Sequence, residues 1–104
     1  MISLQIARMI AHFSLFLDQT DDNILDPDAA VQAMEQMSSD LQALDKPFLR
    51  ELVDAFAVIA AEYEGDTAQL VRDIPGNYYL EETLAADDPV KLADLDARRD
   101  AKEA

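Results

Sequence analysis

Three times this chain sets an aspartate one or two residues before a proline, in Asp26-Pro27, Asp45-Lys46-Pro47 and Asp88-Pro89, and each time a stretch readable at helical period follows. Aspartate is a preferred N-cap residue. Proline suits the first helical turn, because its missing N–H would be unbonded there and its φ is already helical. These are start signals for helices, and nothing in the chain competes with them. No stretch alternates apolar and polar residues with β-branched enrichment, no internal repeat appears, and only two glycines interrupt 104 residues.

Spacing then assigns faces. In the first segment Ile2, Ile6, Met9, Ile10, Phe13, Phe16 and Leu17 fall on one broad stripe, which predicts a core-facing side. Leu4, Ala11 and Leu15 form a second line nearly opposite, so this helix is read as central, with self-association through that second line as the alternative. A helix from Pro27 to Ala43 follows, with Ala30, Met34, Met37, Leu41 and Leu44 recurring at core spacing. The next helix carries the widest stripe, Phe48, Leu49, Leu52, Val53, Phe56, Ile59, Ala60 and Tyr63, and Gly65 is placed to close it in a left-handed cap. A short helix is expected from Asp66 to about Asp73, ended by a turn at Ile74-Pro75-Gly76-Asn77. Over Tyr78–Glu82 helix and extended chain remain equally readable. Residues from Pro89 to about Ala101 read as a last helix with only Val90, Leu92 and Leu95 large and apolar.

The expected class is all-α: a small bundle of four to five helices with a short C-terminal helix. Half the residues are hydrophobic, enough for one core and no more. Residues 1–86 make the bundle and residues 87–104 a charged, helical, loosely docked tail. The apolar beginning reads as neither signal peptide nor membrane span, since Arg8 and His12 interrupt it and Asp18 closes it. The expected address is the cytoplasm.

Charge narrows the function. Twenty-two acids face eight bases, a formal −14, and residues 1–86 hold sixteen of those acids with four bases. A nucleic-acid partner is excluded by that sign, because binding phosphates requires a basic footprint. No cysteine is present, so thiolate metal sites and cysteine nucleophiles are excluded. His12 stands alone without a partner for a metal or nucleophile constellation. The acidic loop Asp18–Asp28 fails as an EF-hand: starting at Asp18 puts Asn23 at the required glycine and Ala29 at the bidentate glutamate. Paired carboxylates could serve glycoside hydrolysis, yet with this many acids pairs arise by chance. Ser38-Ser39-Asp40-Leu41 reverses the Asp-Ser-Leu order of an acyl carrier protein and lies mid-helix. The reading is therefore no enzyme, no cofactor and no metal.

What remains is recognition. Asp73, Tyr78, Tyr79, Glu81 and Glu82 surround a Pro-Gly-Asn segment, and tyrosine supplies a large, stiff contact surface with a polar tip. Because adjacent residues point differently, one tyrosine is expected to close the core and the other to face outward. This segment, with the acidity, resembles the small four-helix immunity proteins that neutralise nuclease bacteriocins and display a Tyr-Tyr pair beside acids. Those proteins follow the pair with proline, whereas Leu80 stands here. The resemblance implies a mechanism: a basic protein partner steered in by the acidic field and held by tyrosine, as by an inhibitor or immunity-type protein. A homodimer with acidity serving solubility is the alternative.

Overall fold

The computed structural model describes residues 2–103, with side chains described for residues 2–101; position 104 of the expected tail lies outside them. Six helices follow in order: α1 (Ile2–Gln19), α2 (Pro27–Gln42), α3 (Lys46–Ala60), α4 (Gly65–Asn77), α5 (Leu80–Leu84) and α6 (Pro89–Glu103). No strand occurs among the described residues, so the fold is the small all-α bundle with a C-terminal helix that the periodicity predicts. All three aspartate-proline starts open helices. Only Asp88 caps with its side chain, accepting the Lys91 N–H at 3.1 Å. Asp26 and Asp45 act through their backbone carbonyls, which take the first helical bonds from Ala30 and Leu49.

The widest stripe takes the centre. Leu49, Leu52, Val53, Phe56, Ile59 and Ala60 of α3 are all buried, and α1, α4 and α5 pack against it. From α4 the core receives Val71 and Ile74, from α5 Leu80, and from the connection between them Tyr78.

α1 meets α3 with its small residues. Ser3, Ala7, Ile10, Ala11, Ser14 and Leu17 are its buried set, while Met9 is 65% exposed and Phe16 51% exposed. The expected core-facing stripe is thus split, with Ile10 and Leu17 buried and Ile6 packed on the core while Ile2, Met9, Phe13 and Phe16 are turned outward, and the line of Leu4, Ala11 and Leu15 points in: Ala11 is fully buried, and Leu4 and Leu15 pack against the core. The physical reason is proximity. Alanine and serine in the buried set let α1 lie close against its neighbours, which bulky Met and Phe side chains between the axes would prevent.

Three further expectations need correction. Gly65 does adopt positive φ, but it opens α4 after a four-residue connection, because α3 already ends at Ala60. The segment Ile74–Asn77 does not break the helix: Pro75 lies inside α4. The proline removes one helical bond near the end, where few would remain to be lost. Helical bonding resumes beyond it with Tyr78 N to Ile74 O at 3.1 Å, and both Ile74 and Pro75 are buried in compensation. Finally, the stripe expected for α2 is only partly covered: Leu41 is buried, Met37 and Leu44 pack half-buried against the core, and Met34 is exposed.

Candidate functional site

The chain reverses not at Gly76-Asn77 but one step later, at the two tyrosines. Tyr79 adopts the left-handed region with φ 58° and ψ 34°, the seat usually taken by glycine after a helix. A non-glycine residue there costs on the order of 1–2 kcal/mol, so the neighbourhood must hold it. It does so from several directions. The Tyr79 carbonyl accepts from the Thr83 hydroxyl at 2.9 Å and the Thr83 N–H at 3.1 Å, and the Arg99 guanidinium from α6 lies 4.1 Å from the ring centroid.

The preceding tyrosine does the opposite work. Tyr78 is 2% exposed. Its hydroxyl lies 3.0 Å from the Ser14 hydroxyl of α1, and its carbonyl accepts from Ser38 Oγ at 3.2 Å and Gln42 Nε2 at 3.0 Å on α2. One residue thereby ties α1, α2 and the α4–α5 corner together. The αL turn at Tyr79 is what allows successive side chains to diverge so fully, Tyr79 being 49% exposed.

The other residues expected in the partner-binding set are engaged within the molecule. Glu81 accepts from Arg50, which also pairs with Asp54 at 3.0 Å. The hydrogen bond to Glu81 is the leading reason that the Arg50 guanidinium holds its proton above its ordinary value. Glu82 is gripped by Arg99 at 2.6 Å, and the same guanidinium donates to the Gly76 carbonyl at 3.1 Å. Asp73 accepts from Gln69 at 2.9 Å. Glu81 and Glu82 border the depression between the corner and α6, with Leu95 and Arg98. The tyrosines border a different one.

That second depression is a groove of about 290 Å³ between α2 and the corner, lined by Val31, Met34, Glu35 and Ser38 on one side and by Asn77, Tyr78 and Tyr79 on the other. Val31, Met34 and the tyrosine rings make it largely apolar, and Glu35 is the one acid in its lining. The chain segment that contains α2 is one-sided in charge: from Met9 to Asp45 it holds Asp18, Asp21, Asp22, Asp26, Asp28, Glu35, Asp40 and Asp45 and no lysine or arginine. All eight are exposed. Elsewhere bases sit among the acids as Arg8–Glu62, Lys46–Asp87, Arg50–Glu81, Arg98–Asp94 and Arg99–Glu82. Residues 9–45 thus carry eight of the twenty-two acids with no lysine or arginine among them, whereas the rest of the chain sets fourteen acids against eight bases.

Sequence reasoning missed Val31, Met34 and Arg99 as parts of this region. A signal existed for the first two: the inner side of α2 is filled out with Ala30, Ala33 and Ser38, too little volume to bury the whole stripe. Arg99 carried no local signal, since its role depends on α6 folding back over the corner.

Among the described residues no three of His, Asp or Glu converge to hold a metal ion. Within the loop Asp21 is occupied with an Asx-type turn, accepting the Asn23 N–H at 2.9 Å. His12 is exposed on α1, on the side of Glu62, whose carboxyl is held below its ordinary value chiefly by the hydrogen bond from Arg8. No helix among the described residues is long and apolar enough to cross a membrane. No family model, no curated protein and no solved structure matches the chain.

Proposed function

We propose that this chain is a non-enzymatic, cytoplasmic interaction module that docks a basic protein partner in the groove between α2 and the Tyr79 corner. The observation that carries the reading is that α2, which gives Val31, Met34 and Glu35 to an apolar groove closed by Tyr79, belongs to a stretch, residues 9–45, that holds eight exposed acids and no lysine or arginine. Long-range attraction from the acids accelerates encounter with a cationic surface, and the apolar floor and tyrosine ring supply the short-range contact that slows dissociation. A small rigid helix pair that occludes a basic surface acts on its partner as an inhibitor or immunity-type protein does.

Of the residues expected to bind, Tyr79 is assigned direct contact. Tyr78, Glu81 and Glu82 position it: Tyr78 anchors the corner from within, Glu81 holds α3 to α5 through Arg50, and Glu82 orients the arginine that lies over Tyr79. The test begins with affinity capture at low salt, followed by purification of the retained basic protein and titration against this chain. Affinity should fall steeply between about 50 and 500 mM NaCl, and Tyr79→Ala and Met34→Ala, which remove contact area and no charge, should each weaken it by ~10-fold or more without changing the salt slope. Absence of any basic protein at low salt, or salt-insensitive binding, defeats the reading.

A further inference from the structure

A different face remains after this assignment. Along α1 the side chains of Ile2, Ile6, Met9, Phe13 and Phe16 recur at intervals of four, three, four and three residues. That repeat aligns knobs along one seam of a helix. Ile2, Met9, Phe13 and Phe16 are exposed by between 36% and 70%, and Ile6 is partly buried against the core. Given ~150–250 Å² for each aromatic side chain, the exposed parts amount to about 400 Å² of apolar surface. That is the size of the largest apolar patch on an ordinary monomer, about 300–600 Å², and such a patch is often the functional one.

We infer that this face of α1 pairs with the same face of a second copy of the chain. Electrostatics selects the occupant. From Ile2 to Leu17 there is no acid and one base, Arg8, whereas the rest of the chain carries all twenty-two acids. Two such molecules repel wherever their bodies meet, and this face brings up the fewest carboxylates: α1 supplies none from Ile2 to Leu17, and Glu62, beside His12, is paired with Arg8 at 2.6 Å. A basic partner finds little here to attract it, since the one carboxylate placed beside Arg8 and His12, Glu62, is already paired with Arg8. The area agrees as well: two copies bring about 800 Å² of apolar surface together, and the exposed Gln5, His12 and Gln19 on the polar edge extend it toward the ~1,200 Å² low end of specific interfaces. A two-fold arrangement makes a single seam complementary to itself. The dimer presents two acidic grooves at once.

Salt distinguishes this contact from the groove. Screening relieves the repulsion between bodies, so raising NaCl from about 50 to 500 mM should tighten the dimer several-fold, opposite in sign to the partner contact. Sedimentation equilibrium of the purified full chain should show a species of twice the 11.6 kDa chain mass. Met9→Glu and Phe16→Glu should each raise the dimer Kd by ~30-fold or more, while the circular dichroism of the resulting monomer stays helical because both side chains are exposed. Ala86→Glu, which adds the same charge elsewhere, should leave association nearly unchanged. A wild-type chain that stays monomeric to ~100 μM at high salt overturns the inference and points to an apolar helix of another protein as the occupant. Persistence of the dimer in the Met9→Glu/Phe16→Glu double variant overturns it too. Groove affinity for a basic partner, measured on that same variant, reads the two contacts separately.

Discussion

α2 and α3 begin alike and end in different surroundings. Both start with an aspartate followed within two residues by proline, and they differ by a single residue in length. Yet α3 buries seven side chains and α2 buries Leu41 alone. The difference teaches that a start signal specifies that a helix forms, while its burial depends on how much side-chain volume it brings to its neighbours. α3 offers two phenylalanines and a run of branched aliphatics. α2 offers alanines, serines and methionines among acids, and it is held at its C-terminal half by Leu41 and by polar bonds from Ser38 and Gln42 to the Tyr78 carbonyl.

That contrast can be broken or sharpened by substitution. Phe56→Ala removes a fully buried ring from the centre of α3 and should cost about 3–5 kcal/mol in chemical denaturation. Leu41→Ala should cost about 2–4 kcal/mol, since it removes the one buried anchor of α2, whereas Val31→Ala should stay within about 0.5 kcal/mol. Equal costs for Leu41 and Val31 would mean that α2 is held along its whole length. Hydrogen exchange should show the same asymmetry, with the first turns of α2 opening far more readily than α3.

The two tyrosines extend the comparison to single residues. Tyr78→Phe strips a buried hydroxyl from Ser14 and should cost about 1–3 kcal/mol. Tyr79→Gly relieves the αL strain but removes the ring beneath Arg99, so melting should show a net change within about 1 kcal/mol. A large loss would make the Arg99 stack the main fastening of α6 to the corner.

The smallest effect concerns pH. The Glu62 carboxyl has its folded-state value lowered by Arg8, so the contribution of this exposed pair is present above the unfolded carboxylate value and is lost as pH falls through the folded one. Melting temperatures of wild type and Glu62→Gln should therefore differ slightly near neutrality and converge below about pH 4.

Much of the fold was legible because helices announce themselves locally. The aspartate-proline starts, the stripe of α3 and the helical character of residues after Pro89 all depend on neighbours within four residues. The Ile74–Asn77 segment misled because proline, glycine and asparagine are judged by their intrinsic preference. Here burial of Ile74 and Pro75 against the core outweighs one lost bond, and the reversal passes to Tyr79. The site was half legible. Adjacent tyrosines had to diverge, and they do, but the groove beside them joins α2 to a corner some forty residues later, a juxtaposition that no spacing encodes.

Taken alone, the order of residues determined where helices start, that no sheet competes, and how unevenly acids and bases are distributed, because each follows from local backbone preference or from simple charge. Only the packed structure decided which side of α1 faces α3. An amphipathic pattern says that a helix has greasy sides; whether alanine and serine or methionine and phenylalanine occupy the contact depends on how closely two axes must approach, and that distance is a property of the assembled bundle.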